Sequence, residues 1–155
     1  MGWLGGRALH LGNGALAGAR FDLRNEIVTD GREGSAMRWE RTHHLMSGPV
    51  HGVGLLRWDA AGGALIDVIG NRGWLEVELL PRVEELAVTM TSRRQWLRIA
   101  GFRLPLPRLL VGGARTREWQ EPDGRLGLSL TLHHPVFGDY AGYEAIMTGD
   151  ALEAL

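Results

Sequence analysis

The sequence predicts an all-β fold: a single-domain antiparallel β-barrel or half-barrel of the calycin or lipocalin kind, with about nine or ten strands. Apolar and polar residues alternate with a period of two along most of the chain, which is typical of half-buried strands. Turn residues interrupt this alternation roughly every ten residues. Glycine is abundant, with 23 residues, which suits many turns and sharply curved strands.

The strand patterns follow one another with short turns between them. They cover residues 7–11, 25–29, 36–45, 50–58, 64–69, 74–80, 85–91, 95–104, 114–121, 125–133 and 140–148. Residues 16–25 are ambiguous and could hold a short helix. The clearest hairpin turns at Asp123 and Gly124, because Asp-Gly is a strong turn signal. Pro81 is expected to end its strand, and residues 92–94 are expected to form a turn.

The segment from Arg98 to Leu110 contains Pro105 and Pro107, separated by one residue. Two prolines so placed cannot both donate to a sheet ladder, so regular pairing must stop there. Because apolar residues surround them, we predict a buried corner at which the chain leaves one strand and crosses to another. After it, residues 106–111 are expected to form a single helical turn, the one short helix of the fold.

Length and composition indicate one ordinary globular domain, residues 1–155, with 45% hydrophobic and 23% charged residues. The formal net charge of −1 argues against a nucleic-acid partner and against a membrane-surface partner, because both favour a basic protein. No apolar run approaches the roughly 20 residues of a membrane span. The first residues lack the apolar segment of a signal peptide, so we expect a cytoplasmic protein.

Two residue types are absent. The chain has no cysteine, and all 17 of its basic residues are arginine. Thiol nucleophiles, thiolate metal sites and lysine Schiff bases are therefore excluded. Because arginine does not give up its proton, any catalytic base must be a histidine, a carboxylate or a tyrosine.

Several strands place tryptophan beside ionisable residues on one face. These sets are Trp39, Arg41 and His43; Trp74, Glu76 and Glu78; Trp96 and Arg98; and Arg115, Arg117 and Trp119. Such a mixture is typical of a ligand cavity. An outer face on which arginine stacks on tryptophan gives the same pattern, and the sequence leaves open which face is concave.

Acid–base chemistry is the reaction type that this composition favours. The candidate catalytic residues are His43, Asp67 and Glu118, because a histidine or carboxylate in an apolar cavity has its pKa moved toward neutrality. Arg41 or Arg117 could hold a carboxylate or stabilise developing negative charge. Ion pairs across strands are the structural alternative for the two acids. The candidate substrate-binding residues are Trp39, Arg41, Trp74, Trp96, Arg117, Trp119 and His133.

No cofactor or metal is expected. The segment Gly12–Ala17 fits the Gly-x-Gly-x-x-Ala form of a dinucleotide fingerprint, but that fingerprint is meaningful only inside a strand–helix–strand unit, so we interpret it as a turn. A metal held by two histidines with Asp67 or Glu118 is conceivable, but no tight histidine spacing supports it.

Five segments resemble the bacterial domain-of-unknown-function family 4166 in their order and spacing, over about residues 6–147. They are Trp39–His43, Asp67–Gly70, Leu104–Leu110, Arg117–Trp119 and His134–Tyr143. The chain departs from the family at His43 and His44, where relatives tend to have Phe and Gly, and at Asp67, where Glu is more usual. The resemblance implies two settings: the tail of a reductase-like protein, or a stand-alone polyketide tailoring protein similar to spiroacetal-forming cyclases.

Together these observations favour an enzyme, a cofactor-independent cyclase or isomerase that binds an apolar or polyketide-like molecule in a tryptophan-lined barrel. A non-catalytic carrier of lipophilic molecules and an accessory domain that docks on a reductase are the alternatives. Exposed strand edges also leave a homodimer open.

Overall fold

The computed structural model describes residues 2–10, 19–30, 34–45, 48–70 and 73–148. In this part of the chain it has eleven strands and one helical turn. In chain order they are β1 (Gly2–His10), β2 (Ala19–Asp30), β3 (Gly34–Leu45), β4 (Gly48–Asp59), β5 (Ala64–Ile69), β6 (Leu75–Glu84), β7 (Ala87–Ile99), β8 (Phe102–Pro105), α1 (Arg108–Val111), β9 (Gly113–Gln120), β10 (Leu126–His134) and β11 (Gly138–Thr148). The predicted all-β fold with one short helical turn is confirmed.

Antiparallel pairings join ten of the strands into a circuit. Each strand from β1 to β6 pairs with the next, and β6 pairs with β7. The circuit continues from β7 to β9, β10 and β11, and β11 returns to β1. β8 pairs only with the far end of β7, beyond the stretch that β9 occupies. The arrangement is that of an antiparallel barrel.

The alternation of each strand sends one set of side chains into the barrel interior, here called the lumen. The buried residues of one cluster are Phe21, Leu23, Leu128, Tyr143, Ala145 and Met147, and those of the second are Val77, Leu79 and Met90. Residues that pair across strands with these share their face. The pairing register therefore tells, for each paired residue, whether its side chain faces the lumen or the outer face.

The two ends of the barrel carry different turns. The β6–β7 and β9–β10 turns lie together at one end, the hairpin end, where the Gln120 N–H donates to the Leu86 carbonyl at 3.1 Å. The proline segment and the β10–β11 turn lie together at the other, the corner end, where His134 Nε2 is 3.0 Å from the Leu109 carbonyl oxygen.

The turn predicted at residues 92–94 is wrong. β7 runs without interruption from Ala87 to Ile99. Opposite it, the register shifts so that Glu78 pairs with Arg94 and Leu79 pairs with Ser92, which leaves Arg93 as the extra residue of a β-bulge. The chain reverses later, at Ala100 and Gly101, where both residues have positive φ.

Two further strand boundaries differ from the prediction. β6 continues through Pro81, which pairs with Met90. The pairing of β6 with β5 ends at Leu79, so Pro81 lies where that edge of the strand is unpaired and its missing N–H breaks no ladder. The residues 19–25 belong to strand β2 rather than to a short helix.

The proline segment is a corner, as predicted, but it is not buried. After β8 the chain leaves the sheet and the Leu106 N–H donates to the Gln95 carbonyl. The apolar side chains around it are largely exposed: Phe102 at 71%, Leu109 at 67% and Leu110 at 74%. β8 adds to the sheet beyond the pairings that close the circuit, so the corner lies outside the ring of ten strands.

The fingerprint-like segment Gly12–Ala17 and residues 16–18 of the ambiguous stretch lie outside the described residues. Among the residues that are described, no helix is long and apolar enough to cross a membrane.

Candidate functional site

Strand β3 carries the inward-facing residues from which the candidate site is built. Trp39, Arg41 and His43 alternate along it, and Arg41 pairs with Leu23 of β2 on one side and with Gly52 of β4 on the other. Because Leu23 belongs to the buried lumen cluster, its cross-strand neighbour Arg41 also faces the lumen. The alternation places Trp39 and His43 on the same face.

The Trp39 indole crosses the whole width of strand β4 to reach strand β5. A Cβ at Gly54 would collide with the indole, and one at Gly52 would lie 3.5 Å from it. The ring therefore lies over the part of β4 where two glycines leave the inner face without side chains. Its Nε1–H donates to Asp67 Oδ1 at 2.8 Å. The spacing of the two glycines thus permits a hydrogen bond between β3 and β5.

The Arg41 guanidinium lies over the Trp39 ring, with its central carbon 4.5 Å from the ring centre. This is cation–π distance. Its Nε is buried and has no hydrogen-bond partner among the described residues. Trp39 therefore contacts both ionisable groups, Arg41 through its ring face and Asp67 through its N–H.

Two lumen carboxyl groups hold their protons more tightly than usual. Burial raises the pKa of Asp67, and the Trp39 hydrogen bond and the Arg41 charge oppose that rise. Burial also raises the pKa of Glu118, again against the charge of Arg41. Within the described part of the chain, neither carboxylate forms an ion pair with an arginine, so desolvation prevails over charge compensation in both.

Tyr143 and His43 also face the lumen, and with Arg41, Asp67 and Glu118 they form what is here called the polar set. The His43 ring lies against two rings that also contact each other, Phe21 at 4.8 Å between ring centres and Tyr143 at 5.1 Å. Burial raises the pKa of the Tyr143 hydroxyl, with the Glu118 charge acting in the same direction and Arg41 against it. Tyr143 is thus electrostatically coupled to both Arg41 and Glu118.

A cleft of about 710 Å³ opens at the hairpin end. Its walls are mainly apolar, with Val83, Leu86, Val88, Leu126 and Met147 among them. Glu118 borders it from within the barrel. Its volume suits a small organic ligand, and its contact with Glu118 connects it to the polar set of the lumen.

A family model described as "Domain of unknown function (DUF4166)" matches residues 2–147. The chain belongs to the DUF4166 family. No curated protein matches it. One matching solved structure, from Thermobifida fusca YX, is provisionally described as a thioesterase II. It shares 10% identity, the match covers 96% of this chain and 79% of that one, and its TM-score of 0.30 is too low to carry an argument.

In this DUF4166 domain, two of the family-like segments, Trp39–His43 and Asp67–Gly70, meet in the lumen through the hydrogen bond from Trp39 to Asp67. The structure also places the residues that we expected to differ from the family pattern. Asp67 is the acceptor of that bond. His43 faces inward, whereas His44 faces outward and lies 2.7 Å from Asp22, as expected of adjacent strand residues.

Other residues predicted to bind substrate lie away from this set. Trp74 is 57% exposed, and Trp96 pairs with Glu76 on the outer face, where the Arg103 guanidinium stacks on it at 3.7 Å. His133 is exposed and its Nδ1 lies 2.8 Å from Asp139. The structure therefore does not bring these three side chains to the lumen.

Arg117 and Trp119 lie on the outer face of β9, on either side of the inward-facing Glu118. The Arg117 guanidinium lies 5.6 Å from the Trp119 ring centre. Trp119 packs over Gly127 and donates its Nε1–H to Glu121 at 2.6 Å. Its ring also borders the cleft at the hairpin end. Of the ten predicted site residues, Trp39, Arg41, His43, Asp67 and Glu118 share the lumen.

The site residues predicted from the sequence include neither Tyr143 nor Thr116. Both are buried and face the lumen, because Tyr143 pairs with Leu130 and Leu130 pairs with Thr116. The alternation of Tyr143, Ala145 and Met147 gave a signal for this face. Among the described residues, no group of three or more histidine, aspartate or glutamate side chains is arranged to hold a metal ion.

Proposed function

We propose that this DUF4166 domain is a cofactor-independent cyclase or isomerase that acts on an apolar, polyketide-like molecule. One observation carries the proposal: two partly buried carboxyl groups, Asp67 and Glu118, face the lumen without an arginine partner among the described residues, and both have raised pKa values. Carboxyl groups whose pKa is raised by burial are suited to proton transfer.

Ring formation of this kind needs only proton movement. When a substrate hydroxyl adds to a carbonyl within the same molecule, one carboxylate takes the hydroxyl proton and one carboxylic acid gives a proton to the carbonyl oxygen. Closure of a dihydroxyketone to a spiroacetal repeats this with loss of one water. No electrons are transferred, so the chemistry requires no redox cofactor. The barrel would contribute mainly by holding the chain in a reactive conformation.

Each lumen residue has a role in this proposal. Glu118, which borders the cleft, is the carboxyl group best placed to meet a ligand entering from the hairpin end. Asp67 is fixed by the Trp39 N–H at 2.8 Å. His43 lies against Tyr143 and is a third proton carrier. Arg41 would stabilise negative charge that develops on oxygen.

The test is turnover of a dihydroxyketone probe, with the spiroacetal product resolved by chiral chromatography against the uncatalysed reaction. Asp67→Asn and Glu118→Gln should each lower the rate about 10²–10⁴-fold, and His43→Ala should lower it less. Glu144→Gln is the matched control, because Glu144 is an exposed carboxyl on the barrel wall. Full-rate turnover by all three lumen variants would show that the acid–base assignment is wrong.

A non-catalytic carrier is the runner-up that the cleft also supports. Its mainly apolar walls would suit a lipophilic molecule whether or not that molecule reacts. Native mass spectrometry of the purified protein with and without added metabolite extract separates the two functions. A ligand that is retained and recovered unchanged, in wild type and Glu118→Gln alike, would favour the carrier.

A docking domain for a reductase is the third candidate, and the exposed apolar side chains of the corner end favour it. Phe102 and Phe137 are 71% and 78% exposed there, and Leu110 is 74% exposed. Apolar side chains grouped in this way often mark interaction sites. If this end docks a protein, Phe102→Ser and Phe137→Ser should abolish co-purification with a reductase while leaving turnover of the dihydroxyketone unchanged.

A further inference from the structure

We propose that the lumen takes an organic anion: a hydrophobic molecule with a single carboxylate, which lies on the Arg41 guanidinium. This inference rests on the proposed function because it concerns the same site. It adds the chemical class of the ligand that the site would bind. It depends on an inward-facing cation that the described protein residues leave without a hydrogen bond or ion pair.

Arg41 differs from the arginines that lie near buried carboxylates on the outer face. Arg98 and Arg103 lie 3.0 and 2.7 Å from Glu76 oxygens. Among the described residues, the Arg41 guanidinium stacks on the Trp39 ring without an ion pair, and its buried Nε has no hydrogen-bond partner. Arginine cannot neutralise itself by losing a proton. A charge held in a desolvated interior is costly until an anion compensates it.

A second polar group in the lumen also lacks a partner. Thr116 is 7% exposed and faces inward, yet its buried Oγ1 has no hydrogen-bond partner among the described residues. Buried polar groups are nearly always satisfied in a folded protein. Thr116 lies two residues before Glu118 on β9, so its hydroxyl faces the same lumen as the carboxyl group that borders the cleft.

The neighbouring acids and apolar walls limit the kind of anion. Two nearby carboxyl groups, Asp67 and Glu118, are electrostatically coupled to Arg41. Either acid, when ionised, would repel a dianion such as a phosphate monoester more strongly than a single carboxylate, and a single carboxylate can pair with the planar guanidinium fork. The apolar side chains Leu23, Leu128 and Met147 lie on the same lumen face, which favours an apolar remainder of the molecule.

The test compares decanoate with decanol, which share an apolar chain and differ in charge, by isothermal titration calorimetry at pH 7.5. Wild type should bind decanoate at least about 10-fold more tightly than decanol. Arg41→Gln should weaken decanoate binding about 10-fold or more and leave decanol binding within about 2-fold. Arg117→Gln is the matched control, because Arg117 also stacks on a tryptophan but on the outer face.

Arg41→Lys keeps the charge and loses the planar fork, so it should bind decanoate with intermediate affinity. If Arg41→Gln does not fold, the comparison of decanoate with decanol is made with Arg41→Lys instead. Equal wild-type affinity for decanoate and decanol would overturn the inference, as would no binding of either or an unchanged preference in both Arg41 variants. Binding of decanol without a preference for decanoate would contradict this inference but not the proposed cyclase function. The cyclase function is contradicted only if the Asp67 and Glu118 variants turn over substrate at the full rate.

Discussion

Glu76 and Glu118 lie on opposite faces of the barrel wall, and the surroundings of the two carboxylates differ. Glu76 is 2% exposed on the outer face, where Arg98 and Arg103 reach its oxygens and Arg57 approaches to 3.8 Å. Glu118 faces the lumen and has no arginine within ion-pair distance among the described residues. Burial alone therefore does not identify a site; burial without charge compensation does.

Removal of the Glu76 charge should have the largest effect on stability. Glu76→Gln leaves three arginines beside a neutral side chain, which should lower the free energy of unfolding by about 2–3 kcal/mol. Urea denaturation at pH 7 measures this. The comparison variant Glu118→Gln removes a charge that no arginine compensates, so a loss of similar size there would contradict the distinction between the two carboxylates.

The two tryptophan–glycine contacts give a second comparison. Gly54→Ala adds a methyl group against the buried Trp39 ring, and Gly127→Ala adds one against Trp119, which lies on the outer face. Trp39 is only 7% exposed and hydrogen-bonded to Asp67, so it has little room to move. We expect Gly54→Ala to cost about 2 kcal/mol and Gly127→Ala less, as measured by thermal unfolding. Equal costs would show that Trp39 is not held more rigidly.

The uncompensated lumen acids should lower stability at neutral pH. Because the pKa of Glu118 is raised in the folded state, the unfolded chain ionises first as the pH rises, and folding loses stability through the folded-state pKa. Glu118→Gln should therefore stabilise the protein at pH 7, as urea denaturation would measure. That gain should vanish below the ordinary glutamate pKa. A gain that is constant with pH would indicate a packing effect instead.

Glu78 should show the opposite pH dependence with a smaller effect. Its hydrogen bond with Arg93 lowers its pKa in the folded state, so Glu78 contributes stability above the ordinary glutamate pKa. This contribution is lost as the pH falls through the folded-state value. Glu78→Gln should be less stable than wild type at pH 7 and equal to it in strong acid. Thermal unfolding between pH 2 and 7 records both curves, and a difference that grew in acid would contradict this sign.

The sequence predicted the fold more fully than the site. Period-two alternation and turn chemistry identified the strands, and strand β5 has the predicted bounds, Ala64–Ile69. The bulge at Arg93 could not be foreseen, because it depends on the register with Glu78 across the hairpin. The exposure of the proline corner likewise depends on where β8 joins the sheet, which local sequence does not specify.

The sequence predicted which site residues share a face of a strand, but not which of those faces lines the lumen. Alternation placed Trp39, Arg41 and His43 on one face, and the same rule placed Arg117 and Trp119 on another. Only the circuit of pairings tells which face is the lumen, since both patterns mix tryptophan with arginine. The partner of Trp39 lies 28 residues away on β5, and the glycines that allow this contact have no meaning until β4 is seen to lie between the two strands.

The measurement that tests the central claim most directly is a pH titration of the side-chain carboxyl carbons by ¹³C NMR, with Asp67→Asn, Glu118→Gln and Glu78→Gln used for assignment. The account predicts that Asp67 and Glu118 titrate above the ordinary pKa values of their residue types and that Glu78 titrates below its own. If Asp67 and Glu118 instead titrate at or below ordinary values, the lumen acids are charge-compensated. The distinction between the two faces of the barrel would then be lost.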